Sequence, residues 1–128
     1  MPYFLGTFTV PEELGEVIRR QQKELYGLLF RESATTLQEV AAREKYLGAE
    51  LGMLGVLYTW SRPLIFHPHV HYVVAGGGLS DDGLRWKRVP SSAFFLPTRV
   101  LGRRFRTRWK QALQQHHPEA FASVPSAV

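Results

Sequence analysis

Cysteine is absent from the 128 residues of this chain. Disulfides, thiolate zinc sites and cysteine nucleophiles are therefore excluded, and the composition fits a reducing compartment. No apolar run reaches the roughly 18 residues a membrane-spanning helix needs, and no basic-then-apolar signal segment opens the chain. A soluble, cytoplasmic protein without a membrane partner is expected. Acidic residues are absent from Gly83 to Pro118, and no tyrosine follows Tyr72. Disorder is excluded by the opposite kind of evidence, since 45% of the residues are apolar and 12% are aromatic.

The missing acidic residues make charge uneven along the chain. Residues 1–82 hold 7 basic and 10 acidic side chains, whereas residues 83–128 hold 9 basic and 1 acidic. So one-sided a block fits a polyanion, most commonly nucleic acid, and it also fits a solvated basic helix.

Histidine is the residue present in an unusual place. Three of the five histidines fall in His67-Pro68-His69-Val70-His71, between Leu64-Ile65-Phe66 and Tyr72-Val73-Val74. Residues two apart on a strand share a face, spaced about 7 Å along the chain. Two neutral imidazoles so placed can hold one metal ion, and apolar surroundings disfavour the charged form. Pro68 cannot donate to a strand ladder, so it belongs at an edge, a bulge or the start of regular pairing. That demotes His67 and leaves His69 and His71 as the pair. No third ligand is identified by spacing. His116 and His117 are explained by a helix C-terminus, where positive charge is favourable.

The remaining pattern predicts an α+β fold. Tyr3 to Val10 reads as a strand, and Thr9 to Glu12 reads as a capping box that starts a helix with Pro11 in its first turn. Leu14, Val17, Ile18, Leu25, Leu28, Leu29, Leu37 and Val40 recur at helical spacing to about Lys45, with a break near Ser33. Gly48 marks the exit. Leu51 to Trp60 is nearly all apolar and reads as a buried central strand. A turn at 61–63 leads to the histidine strand, about Leu64 to Ala75. Gly76-Gly77-Gly78 and Ser80 to Gly83 read as a turn-rich loop. Short strands are expected at Leu84 to Arg88 and Ala93 to Leu96. Pro97-Thr98 opens a last helix to about His116, with Leu101, Phe105, Trp109 and Ala112 on one side and Arg99, Arg103, Arg106 and Lys110 on the other. Together with Arg85, Lys87 and Arg88 these form the candidate DNA-binding set. Trp86 can stack on a base or pack. Long crossovers in this order suggest an antiparallel sheet with helices on one face.

The pair His69-Val70-His71 resembles the HUH motif of rolling-circle nucleases. A longer text carries more: FTVPEEL (8–14), ELYGLLFRESATTL (24–37), LGAELGMLGVLYTWSRPLIFHPHVHYVVAGGGLS (47–80), RW (85–86) and FFLPTRVLGRRFR (94–106) resemble the two-tyrosine transposases of the insertion-sequence ninety-one type. The resemblance implies an RRM-like or ferredoxin-like nuclease fold with the histidine pair on a central strand. It implies a Mg²⁺ or Mn²⁺ ion held by His69 and His71, which polarises the scissile phosphate of single-stranded DNA. It also implies attack by a tyrosine hydroxyl to form a 5′-phosphotyrosine link.

Two departures from that family matter. Its catalytic tyrosines lie on a helix downstream of the histidines, and here the last helix has none. Tyr72 should point away from the metal face, Tyr58 is expected to pack, and Tyr3 and Tyr26 are open by geometry but not by the family's arrangement. The family's cysteine-rich zinc module is also missing. The expectation is a partial transposase core over residues 3–117 with a loose tail at 118–128, either a truncated gene or an excised domain. It should bind metal and single-stranded DNA without nicking, because the tyrosine nucleophile is absent. The alternative is a non-catalytic RRM-like nucleic-acid-binding module.

Overall fold

A computed structural model describes residues 3–60, 65–89, 96–122 and 124. Strand β1 (Tyr3–Thr9) leads through a single 3-10 turn (Glu12–Leu14) into α1 (Gly15–Arg20) and the long α2 (Gln22–Ala41). Strands β2 (Glu50–Trp60), β3 (Phe66–Leu79) and the short β4 (Trp86–Arg88) follow, then α3 (Thr98–His116) and α4 (Pro118–Ala122). The sheet is antiparallel, with β3 between β1 and β2 and with β4 paired to the far end of β3. The helices supply one layer of the core: Leu25, Leu28, Leu29 and Val40 of α2 and Phe105, Trp109 and Leu113 of α3 are buried with Phe8, Val70, Tyr72 and Val74 of the sheet. The fold is thus α+β, with an open sheet covered on one side and the histidines on its central strand.

Several local expectations need correction. No capping box forms: Thr9 remains in β1 opposite His69, and the 3-10 turn begins after Pro11 without a side-chain cap. The helical break lies at Gln21 (φ −134°, ψ 53°), not at Ser33. Ser33 stays inside α2 because its hydroxyl is satisfied there, donating to the Phe30 carbonyl at 3.2 Å and meeting the Tyr72 phenol at 2.6 Å. Helix α2 ends at Ala41 rather than Lys45, and Gly48 (φ +70°) closes the exit by donating its N–H to the Ala41 carbonyl at 2.8 Å.

The strand from Leu51 to Trp60 is an edge strand, not a central buried one. Its outward residues Leu54, Val56, Tyr58 and Trp60 are exposed. An unbroken apolar run does not distinguish burial on both faces from burial on one. The glycines at 76–78 belong to β3 rather than to a loop. At Gly78 a Cβ would stand 2.0 Å from the Glu50 carbonyl oxygen, so only glycine admits the β2 backbone at that point. Residues 93–95 of the expected strand and the turn at 61–63 lie outside the described residues, and Leu96 is buried in a bend rather than a strand. Pro118–Ala122 is helical with Ala120 buried, although its sequence pattern predicts a loose tail.

Candidate functional site

Alternation along β3 decides what each face carries. Val70, Tyr72 and Val74 point into the helical layer, while His69, His71 and Val73 point to the open side. Register sets their neighbours. Thr9 and Tyr58 flank His69, Thr7 and Val56 flank His71, and Leu5 and Leu54 flank Val73. The two imidazole centroids lie 4.8 Å apart, closer than the backbone spacing of about 7 Å along a strand. The rings therefore lean together.

Each histidine is oriented through Nδ1. His69 donates its Nδ1–H to the His67 carbonyl at 2.7 Å. That bond assigns the proton to Nδ1 and leaves Nε2 with its lone pair. His71 Nδ1 meets the Thr7 hydroxyl at 2.9 Å, which orients the second ring; a hydroxyl donates or accepts, so this contact serves either tautomer. His67 is engaged elsewhere: its Nε2–H donates to the Val10 carbonyl at 2.9 Å, and its ring centre stands 6.1 Å from that of His69. Regular pairing of β3 with β1 and β2 starts at His69, just past Pro68. Among the described residues no group of three or more His, Cys, Asp or Glu side chains converges as a metal cage.

Tyr58 departs from expectation. It does not pack inside but lies 49% exposed against the pair. Its ring is stacked on His69 at 5.6 Å and meets His71 edge-on at 4.8 Å. The other tyrosines stand apart from the pair. Tyr72 is buried on the opposite face, bonded to Ser33, and burial pushes its phenol up from its ordinary value while that hydrogen bond opposes the shift. Tyr26 packs on the helical side, where burial likewise raises it and Arg19 opposes. Tyr46 packs against the core, and Tyr3 pairs with Ala75 four residues along β3 from His71.

The candidate DNA-binding residues do not form one surface with the histidines. Arg99, Arg103 and Arg106 are exposed on α3, in the helical layer. Arg106 and Lys110 line a cleft of about 690 Å³ between α3 and β1, whose other walls include Thr7, Thr9, Leu101 and Phe105. That flank of the basic ridge reaches the sheet edge beside the pair. The opposite flank is spent on α2: Arg104 and Arg108 pair with Glu39, and Arg108 reaches Glu32 at 3.5 Å. Arg85, Lys87 and Arg88 sit at β4, against Gly77–Leu79, six or more residues along β3 from His71. Lys87 is already held by the Glu44 carboxylate, 3.0 Å to each oxygen.

Thr7 and Tyr58 were not legible as neighbours of the pair. Only strand order and register bring them there, and a one-residue slip would turn each of them to the other face.

Comparison with known proteins bears on the family and the fold. A family described as "Putative transposase" matches residues 52–127. A Sinorhizobium fredii protein described as "Putative transposase y4qJ" is 45% identical over 113 residues, covering 88% of this chain and 28% of the relative. The transposase for insertion sequence element IS801 of Pseudomonas savastanoi pv. phaseolicola is 38% identical over 82 residues, covering 64% of this chain and 19% of the relative. The chain thus spans about a quarter of the length of these curated relatives or less. Among solved structures, the conjugative relaxase TrwC in its metal-bound complex with oriT DNA superposes with a TM-score of 0.66 at 20% identity, over 87% of this chain and 42% of that one. Its metal-free DNA complex gives 0.68, also at 20% identity, over 88% and 44%. At that identity the likeness establishes a shared fold.

Proposed function

This chain belongs to the family described as "Putative transposase", and on that footing we propose that residues 3–117 form an HUH-type nuclease core that holds a divalent metal ion and single-stranded DNA. The reaction served is metal-assisted nicking and strand transfer during DNA transposition. The observation that carries this reading is the pair His69 and His71, converging on the open face with both Nδ1 atoms tied back.

The donor set suits a divalent ion with open positions. Two neutral imidazoles supply two ligands, and the solvent-facing location leaves the rest to water or to phosphate oxygens. Nitrogen donors suit Mn²⁺ better than Mg²⁺, which prefers an all-oxygen shell. When bound, the ion would act as a Lewis acid on the scissile phosphate. The chain's own residues do the remaining work. The His67 carbonyl holds His69 in one tautomer, the Thr7 hydroxyl orients the His71 ring, and Val56 and Tyr58 wall the site on the β2 side. Arg106 and Lys110 offer phosphate contacts beside β1, Arg99 and Arg103 extend them along α3, and Arg85 and Arg88, with the Glu44-paired Lys87, offer a second set at β4. The relaxase neighbours are solved with metal and with DNA, which supports both partners for the shared fold.

The proposed core does not supply its own nucleophile. No tyrosine lies on α3, Tyr72 faces the helices, and Tyr58 stacks its ring face on His69. This distribution favours a second reading, a non-catalytic RRM-like nucleic-acid-binding module. One pair of measurements separates them. Calorimetric titration with Mn²⁺ should show binding that His69→Ala and His71→Ala abolish; unchanged binding removes the metal site. Incubation with Mn²⁺ and labelled single-stranded DNA should give a complex but no covalent adduct on a denaturing gel. An adduct would overturn the missing-nucleophile reading, and Tyr58→Phe would then be the first replacement to make.

A further inference from the structure

The open face has two dissimilar halves. Around Val73 it is aliphatic, with Leu5 86% and Leu54 67% exposed. Around His69 it is aromatic and polar, with Thr7, Thr9, the two imidazoles and Tyr58, and Trp60 follows past a register shift, opposite Phe66. Tyr58 and Trp60 are adjacent outward positions of β2, each 49% exposed. The Arg19 guanidinium stands 5.8 Å above the Trp60 ring and 5.7 Å above Phe66, whose own rings meet edge-on at 5.5 Å. A cation is therefore held beside the exposed Trp60 ring and the half-buried Phe66 ring, at the end of the sheet where β3 begins.

That combination has a natural ligand. Single-stranded nucleic acid binds by laying bases on aromatic faces while cations take the phosphates. Outward side chains two apart on a strand are spaced about 7 Å, close to twice the roughly 3.4 Å rise between stacked bases. We propose that Tyr58 and Trp60 form a base-stacking platform for single-stranded DNA, with Arg19 contacting the adjacent phosphate, so that the strand crosses the histidine face along β2. This rests on the DNA-binding reading above and adds to it a site away from the basic helix α3. The aliphatic half, with no charged residue at its Leu5, Leu54 and Val73 positions, lacks this chemistry.

The test compares labelled oligothymidylate with a base-free deoxyribose-phosphate strand of equal length. Anisotropy is measured in chelator, so that metal plays no part. The wild-type chain should prefer the base-bearing strand. Trp60→Ala should weaken that binding about tenfold and Tyr58→Ala by a comparable factor, while base-free binding and the salt slope stay put. Trp60→Phe, which keeps a ring, should restore most of the affinity and guards against a folding defect. An equal weakening on both strands, or none at all, overturns the platform and leaves the DNA-binding reading standing. A wild-type chain that binds neither strand overturns both, whereas self-association through this face abolished by Trp60→Ala overturns the platform alone.

Discussion

One strand serves two solvents. Within β3, Val70 is fully buried and Tyr72 is 3% exposed, while His69, His71 and Val73 between and beside them look outward. The inward residues meet Leu25, Leu29 and Phe105 across a packed layer. The outward ones meet neighbours on β1 and β2 and one another along β3. The inward face is fixed by volume, where even a methylene is felt. The outward face is fixed by hydrogen bonds to Nδ1 and by ring contacts, which constrain direction rather than volume. The first makes the fold and the second makes the site.

The largest effect should come from breaking that comparison by truncation on each side. Leu29→Ala, in the core, is expected to cost about 3 kcal/mol in denaturant unfolding. Leu5→Ala, on the open aliphatic half, should stay within about 0.5 kcal/mol. Similar costs at both positions would mean that the open face is packed.

Next in size is the orientation of His71. Thr7→Val keeps the shape of the side chain but removes the hydroxyl beside Nδ1. Metal affinity should fall about 10- to 100-fold, with the unfolding midpoint nearly unchanged, and Thr7→Ser should recover it. A drop in stability in step with the drop in affinity would move Thr7 to the structural side of the comparison.

On the inward face, Tyr72→Phe should cost about 1 kcal/mol by taking the phenol from Ser33. It should also alter the alkaline limb. Tyr72 titrates above its unfolded value of 10.0, so between the two values the folded chain holds a proton that the unfolded chain has released. Stability is then intact below pH 10 and declines as pH rises beyond it. Thermal melts across that range should show a shallower decline in the Phe variant.

The smallest effect concerns charge in the helical layer. Replacing Arg103 and Arg106 together by Ala should flatten the salt dependence of single-stranded DNA binding, by about 0.7 in slope for each phosphate that is no longer neutralised. Lys87→Ala should change it less, because Glu44 already neutralises that ammonium. An unchanged slope in the double variant would take the basic ridge out of the interface.

Much of the fold was legible because hydrophobic period is local. The strand at Tyr3, the 3.6-residue stripe through Leu25, Leu28 and Leu29, the histidine strand and the last helix all follow from spacing. Ser33 misled because its tertiary partner, Tyr72, lies 39 residues away. The β2 run misled because apolar side chains on an open face look like buried ones. Glycines 76–78 read as a turn until the Glu50 carbonyl appeared over Gly78.

By itself the sequence determined that His69 and His71 share a strand face, the absence of cysteine chemistry, the basic last helix and the kinship with transposases. Those depend on residue identity and on spacings of two to four, which local geometry converts directly into shared faces. Only the tertiary structure decided that Thr7 and Tyr58 flank the pair, that Arg104 and Arg108 are spent on α2, and that β4's cations stand away from the histidines. Those depend on strand order and register, which are set by how the two layers close over the core.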